Sequence, residues 1–349
     1  MLTHLEISNF RGIEKLKLDD LRPFSILVGK NGIGKTTVLE AASIVGYPDS
    51  LQNVLELGWK RDLPKFSWDI DVNPRSLFFR RRPDIPIKLS FQAGHGDELV
   101  EITGFEERPQ ASASRNETRQ QLTRLEMVHT AGTTMTKNSV TLSDDPSRPS
   151  YWLEYGQRAT SPNRLGCFTV TARSEFEGSK IAAIYANLLL DSRGESFLKI
   201  LKTIRDDVYA LNSFSFGDDS LLLVTTKDGA MPANLLGDGF CRVAMMAAAL
   251  FNRNGSLAVV DEIDSGLHRS VMEKFWKESV TLQGQLGFQL ICATHDEDML
   301  LAALDAFENH QDSIAVYRLE QEKTGHPRPV RYSWEQLKYS VESGVDPRG

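Results

Sequence analysis

Apolar and polar residues alternate through the first 28 positions of the chain. LTHLEISNF and IEKLKLDDL repeat an apolar side chain at short intervals, with a turn at Arg11-Gly12 between them, and FSILVG is apolar almost throughout. Alternation predicts half-buried strands, and a short continuous apolar run predicts a strand covered on both faces. Two paired strands therefore lead into a third. From Val38 the residues VLEAASIV suit a helix. Residues 48–85, punctuated by Pro48, Pro64, Pro74 and Pro83, read as irregular, and IPIKLSFQ and DELVEITGF as a hairpin across Gly94-His95-Gly96. The polar stretch 107–124 reads as a loop or insertion. SVTLSDD and SYWLEYGQ resemble strands. Residues 174–212 read as helical, with apolar positions recurring in IAAIYANLLL and FLKILKTIRDDVYAL, and SLLLVTTKDG reads as a strand and turn. The last third alternates helix and strand, as a parallel sheet requires. The expected class is α/β: a mixed sheet with antiparallel N-terminal strands and a parallel core flanked by helices.

Candidate chemistry begins where the third strand ends. GKNGIGKTT, residues 29–37, is G-x-x-x-x-G-K-T between a strand and a helix. Gly29, Gly32 and Gly34, with Asn31 among them, let backbone N–H groups turn inward around phosphate oxygens, and the helix N-terminus adds partial positive charge. Lys35 is expected to reach the β- and γ-phosphates, the Thr36 hydroxyl to ligate Mg²⁺, and Thr37 to complete the set. The motif by itself does not separate kinases, GTPases, motors and ABC-type ATPases.

Three later segments narrow the choice. In LAVVDEIDSGLH, four apolar residues predict a buried strand ending at Asp261-Glu262, where open α/β sheets bind ligands. One carboxylate can hold Mg²⁺ while the next polarises an attacking water, which assigns Asp261 to the metal and Glu262 to the general base. In FQLICATHDED a second strand end carries His295, placed to sense the γ-phosphate or hold the water. In NLLGDGFCRVAMMAAAL, Gly237-Asp238-Gly239 opens an apolar helix. Such a turn is an anion site by its physics and also a common way to start a helix; its place between the loop and the carboxylates favours the first reading.

Order and spacing carry a resemblance. The phosphate loop is near the first residue, and more than 200 positions separate Lys35 from Asp261. GKNGIGKT, LLGDGF, AVVDEIDSGLH and ATHD resemble the Walker A, signature, Walker B with D-loop, and switch-histidine motifs of the ABC-type ATPase superfamily. The likeness is to its soluble SMC/RecF/OLD-like branch, of the AAA15/AAA21 type without a fused nuclease domain. The match covers the first ~45 residues and roughly residues 234–300. The resemblance implies a P-loop NTPase head of the ABC type, with residues 1–47 and 220–335 as a discontinuous ATPase core and 48–219 as a middle lobe of hairpins, polar loop and helices. It also implies ATP and Mg²⁺ as ligands and a head-to-tail homodimer with two ATP molecules between protomers. Gly237, Asp238 and Gly239 of one copy would meet the nucleotide on Lys35 and Thr36 of the other, and Asp264 would lie near the seam. GDG stands where transporter-type members carry an SGG-like sequence, which removes a serine contact and leaves backbone N–H groups. For the family's Q-loop glutamine, Gln52 and Gln92 are the candidates.

Composition changes the picture in a few places. Apolar content of 41% and charged content of 25% are those of a globular chain, and the net charge of −7 argues against a generally basic nucleic-acid coat. Cys167, Cys241 and Cys292 are far apart, without metal-ligand spacing, which suggests a reducing, cytoplasmic setting, and Cys241 and Cys292, in or beside apolar segments, read as buried small apolar residues. No secretory segment or membrane span is legible, and no membrane partner is expected. No heptads are sustained between residues 40 and 230, which argues against a long-armed SMC protein. The residues after about Leu300 are too few for the nuclease domain of OLD-type enzymes. The expected role is thus an ATPase switch controlling a separate effector protein, as in phage-defence modules of this branch, with possible higher oligomers. The alternative is a RecF-like DNA clamp: Arg80-Arg81-Arg82 after Phe78-Phe79 forms the dense basic cluster, with Arg115, Arg119 and Arg124 as further candidates. A transporter subunit ranks last.

Overall fold

The structure, a computed structural model, describes residues 1–59, 74–94, 96–107, 121–142, 151–155, 165–171, 174–216, 219–252 and 256–343. Arg115 and Arg119 lie outside the described residues. The chain opens with β1 (Leu2–Phe10), β2 (Ile13–Asp19) and β3 (Phe24–Val28), followed by α1 (Lys35–Gly46) and α2 (Leu51–Trp59). Strands β4 (Ile87–Ala93), β5 (Gly96–Glu107), β6 (Gln121–Ala131), β7 (Thr134–Leu142), β8 (Tyr151–Tyr155) and β9 (Cys167–Val170) precede α3 (Gly178–Leu190) and α4 (Gly194–Leu201). Next come β10 (Val208–Phe216), β11 (Asp219–Thr226), β12 (Gly229–Pro232), α5 (Asp238–Phe251), β13 (Leu257–Val260) and α6 (Arg269–Leu286). The last elements are β14 (Gln289–Ala293), α7 (Glu297–Phe307), β15 (Ile314–Gln321), β16 (Pro327–Tyr332) and α8 (Trp334–Glu342).

The strands form three sheets. The core sheet runs β16-β15-β3-β14-β13-β9, parallel except where β16 turns back on β15. An antiparallel sheet runs β2-β1-β4-β5-β6-β7-β8, and a small one β10-β11-β12. The mixed α/β class expected from the sequence is the one observed. FSILV, LAVV and QLICA are buried at every position, as parallel strands covered on both faces must be. Their side chains divide by alternation. Phe24, Ile26, Val28, Leu290 and Cys292 enter the core shared with α3–α7, whereas Leu27, Ile291 and Ala293 enter the core shared with α1 and the antiparallel sheet. Phe24 meets Trp276, Phe288 and Phe307 edge to face at 4.8–6.1 Å. Buried Gln289 stitches core strand to outer sheet: its amide accepts from the Leu2 N–H at 2.8 Å and donates to the Leu2 and Arg22 carbonyls at 2.7 and 3.0 Å.

Three stretches depart from the sequence expectation. The loop expected over 107–124 is strand at its ends, because Glu107 closes β5 and Gln121–Arg124 open β6, paired antiparallel on β5. The region 48–85 is not irregular throughout, because Leu51–Trp59 is helical. The helical reading of 174–212 holds for α3 and α4 but not beyond. The Thr203 hydroxyl turns back to the Ile200 carbonyl at 2.7 Å, Arg205 pairs with Asp207, and Val208–Phe216 becomes a strand on β11. VYALNSFSF is rich in aromatic and β-prone residues, and pairing plus cover from α3 overrides the helical spacing.

Candidate functional site

The ends of β3, β13 and β14 come together by main-chain bonds. The Thr294 N–H donates to the Leu27 carbonyl at 3.1 Å, the Ile263 N–H to Ala293 at 3.0 Å, and the Asp261 N–H to Val170 at 2.8 Å. These are the carboxyl ends of parallel strands, where an open α/β sheet places its ligands. A cavity of about 290 Å³ lies there. Asn31, Gly32, Gly34, Lys35, Thr36 and Thr37 line it from the loop and helix start, Asp261 and Glu262 from the end of β13, and Ala293, Thr294 and His295 from the end of β14.

Local sequence explains the loop. Gly29 follows β3 with φ 140, and a Cβ there would stand 2.7 Å from the Leu319 carbonyl oxygen, so neither the backbone nor the neighbouring strand admits a side chain. Gly34 caps α1 at its N-terminus, and no acidic residue occupies the first turn. The positive end of the helix therefore faces the cavity uncompensated. The Lys35 ammonium reaches back to the carbonyls of Gly29 at 2.6 Å and Lys30 at 3.1 Å. The Thr36 hydroxyl donates to the Asp261 carboxylate at 2.8 Å. A hydroxyl and a carboxylate in contact are hard oxygen donors suited to Mg²⁺, whose remaining places waters and phosphate oxygens fill. Among the described residues no three His, Cys, Asp or Glu side chains gather to hold a metal by themselves.

Around the carboxylates the chain is tightly held. Asp261 is 9% exposed, and its other oxygen accepts from the Glu262 N–H at 3.1 Å. Glu262 sits in the left-handed region at φ 47, an uncommon place for a residue with a side chain. Asp264 is buried, accepts from the Thr294 hydroxyl at 2.5 Å and lies 3.9 Å from His295 Nδ1. His295 is half exposed at the cavity wall. Beneath them, burial pushes the Cys292 thiol well above its ordinary pKa, with the charges of Asp264 and Asp261 adding to the effect, so it stays a neutral core residue.

Two family models match the chain. One described as "AAA ATPase domain" matches residues 1–130, and one described as "AAA domain, putative AbiEii toxin, Type IV TA system" matches residues 136–302. A solved SMC head, bound in that structure to the C-winged helix domain of ScpA, superposes with a TM-score of 0.53, covering 97% of this chain and 99% of its own at 13% identity. The chain carries AAA-type ATPase domains on the fold of an SMC head. An SMC head of Pyrococcus furiosus, with an extended coiled coil and bound to the C-terminal domain of ScpA, gives a TM-score of 0.48 at 13% identity over 98% of both chains. The uncharacterized protein MJECL10 of Methanocaldococcus jannaschii is 43% identical over 97 residues. That match takes in 26% of this chain and spans 42% of that relative's length.

Other expected residues fall elsewhere. Gly237, at φ 93, and Asp238 are exposed at the start of α5, and neither they nor Gly239 line the cavity of their own chain. Gln52 bonds Glu56, and Gln92 bonds Thr3 and Asp97; neither lines the cavity. Arg80, Arg81 and Arg82 form an exposed turn, with Arg80 over the Phe79 ring at 5.1 Å and Arg82 paired with Asp84 at 2.6 Å. Arg124 pairs with Glu126 on β6. No described helix is long and apolar enough to cross a membrane.

Two residues at the site escape motif reading. Thr294 braces Asp264. Arg242, 6% exposed on α5, donates to the carbonyls of Thr171 at 2.6 Å, Asp261 at 2.5 Å and Glu262 at 2.9 Å. Burial lowers its pKa from the ordinary arginine value, while Asp261, Glu262 and Asp264 act in the opposite sense. A lone cation inside the apolar run FCRVAMMAAAL was the available signal.

Proposed function

We propose that this ATPase is a dimeric nucleotide switch that binds and hydrolyses ATP and thereby controls a separate effector. The observation that carries the reading is the cavity itself. Lys35, Thr36, Asp261, Glu262 and His295 converge on it, while the exposed glycine start of α5 stands outside it on the same chain. One copy thus supplies the loop and the carboxylates, and a second copy brings Gly237, Asp238 and Gly239 to the terminal phosphate.

In this reading the loop N–H groups and Lys35 bind the phosphates. Thr36 and Asp261 hold Mg²⁺, which when bound neutralises phosphate charge. Glu262 takes the proton of the attacking water, the water oxygen bonds to the γ-phosphorus, and the bond from that phosphorus to the β–γ bridging oxygen breaks, giving ADP and phosphate. His295, placed against Asp264, orients the γ-phosphate or the water. Asp264 lies near the seam between copies.

An effector partner is supported by two resemblances: a family description that names a toxin and a toxin–antitoxin system, and a similar SMC head that carries a separate bound protein domain. A phage-defence module is the setting we propose. The second reading, a DNA clamp, is favoured by the exposed Arg80–Arg82 turn, in which Arg80 and Arg81 both hold left-handed conformations at φ 52 and 56.

Native mass measurement of Glu262→Gln tests the switch: a dimer with ATP and Mg²⁺, and a monomer without, is expected. An ATP-loaded chain that stays monomeric while the parent turns over at full rate sinks it. Co-purification with the product of an adjacent gene supports the effector. ATP turnover raised by duplex DNA and lost on adding salt moves the assignment to the clamp.

A further inference from the structure

Arg242 is buried beside Asp261, Glu262 and Asp264, yet among the described residues it makes no direct ion pair with any of them. Its hydrogen-bond partners are three main-chain carbonyls, at the end of β9 and in the turn after β13. Among the described residues its Nε meets no acceptor. A buried guanidinium with carbonyls in place of a carboxylate is costly unless those carbonyls need holding. One of them belongs to Glu262, whose φ of 47 a residue with a side chain seldom adopts.

The same helix touches the same turn a second time. Gly239, one turn earlier on α5, lies under the Gly266 carbonyl so closely that a Cβ would be 3.3 Å from its oxygen. The helix start and the guanidinium therefore both rest on residues 261–267. A helix moves as a unit, so a displacement at Gly237–Gly239 carries Arg242 with it.

We infer that Arg242 is a positioning residue through which the start of α5 sets the turn carrying Asp261 and Glu262. Occupation of that helix start by the partner copy's nucleotide then holds the carboxylates in their working arrangement, and its loss relaxes them. The inference rests on the reading of Glu262 as the base. Lysine at position 242 keeps the charge but, as a single ammonium on a flexible stem, does not span three carbonyls; glutamine removes the charge.

The test compares Arg242→Lys and Arg242→Gln with the parent protein. Turnover, ATP affinity and amide hydrogen exchange over residues 257–268 are measured on each. The expected result is a fall in kcat of about tenfold to a hundredfold, the cost of a small misplacement at a reacting centre. ATP affinity should stay within about twofold of the parent, and exchange over 262–267 should quicken. Unchanged kcat in a folded variant overturns the inference. So does an equal fall of kcat and ATP affinity, or failure of both variants to fold, since each marks a purely structural arginine. A parent protein that binds but does not hydrolyse ATP sinks the proposed function instead, and the exchange measurement still reads whether Arg242 holds the turn.

Discussion

Thr36 and Asp261 stand 225 residues apart in the chain, and the Thr36 hydroxyl donates to the Asp261 carboxylate at 2.8 Å. The contact brings two hard oxygen donors together beside the Lys35 loop. Replacing Asp261 with Asn keeps an acceptor for Thr36 and removes the charge a divalent cation needs. ATP binding in the presence of Mg²⁺ should weaken by about tenfold or more, or about 1.4 kcal/mol, and Thr36→Ala should act in the same direction. Titration calorimetry with and without Mg²⁺ reads this directly; an unchanged Mg²⁺-dependent increment would show that the pair does not serve the cation.

Glu262→Gln keeps the side-chain shape and removes the proton acceptor. Turnover should drop by roughly 10²–10⁴, the usual scale for losing a general base. Because the loop and Lys35 are untouched, ATP should still bind. Single-turnover hydrolysis beside equilibrium binding separates the two, and hydrolysis at the parent rate would move the base elsewhere.

Gly46 ends α1 against β9. A Cβ there would stand 2.4 Å from the Cys167 Cβ, closer than two side chains can lie, so Gly46→Ala must push helix and strand apart. A cost of about 1–3 kcal/mol is expected, as for other overpacked core positions. The Gly46→Ala/Cys167→Gly double variant should recover much of it, because the colliding atom is gone. Urea midpoints report both; an unshifted midpoint for the single variant would mean the strand yields freely.

Tyr317 sets an alkaline limit. Burial raises its pKa to about 12, with Asp20 adding to the shift and Arg331 and Arg22 opposing it, and its hydroxyl donates to the Asp19 carbonyl at 2.5 Å. The folded chain thus keeps the phenolic proton to higher pH than the unfolded chain, whose tyrosine titrates near 10. This contribution is complete below about pH 10 and disappears as pH rises towards 12, at about 1.4 kcal/mol per pH unit. Tyr317→Phe should be less stable at neutral pH and show a shallower alkaline decline. Equal slopes for the two proteins would rule the residue out as the source.

Much of the site was legible because its signals are local. A glycine loop between an apolar strand and a helix, and carboxylates or a histidine directly after apolar runs, need only short windows to recognise. Asn31, Gly32, Gly34, Lys35, Thr36, Thr37, Asp261, Glu262 and His295 were found that way, and the structure gathers them at one cavity, whereas Gly29 lies against the Leu319 carbonyl outside its lining. Local windows failed where a residue's partner is distant. Gln52 and Gln92 had no positional signal and bond elsewhere. Val208–Asn212 carried helical spacing but became the start of a strand once β11 and α3 were there to receive it. Arg242 is one residue of a helix until the turns after β9 and β13 close over it.

The sequence by itself determined the elements and their chemistry: which runs are strands buried on both faces, where a phosphate loop turns, and which strand ends bear acid or imidazole. Those follow from backbone preference and from the burial of apolar side chains, which act over a few residues. Only the tertiary structure decided who meets whom. β14 lies between β3 and β13, and that order brings Thr36 to Asp261, lays Arg242 under Glu262 and leaves Gly237 facing outward. Strand order in a parallel sheet is set by crossover connections and by packing across both faces, and no short stretch of chain encodes it.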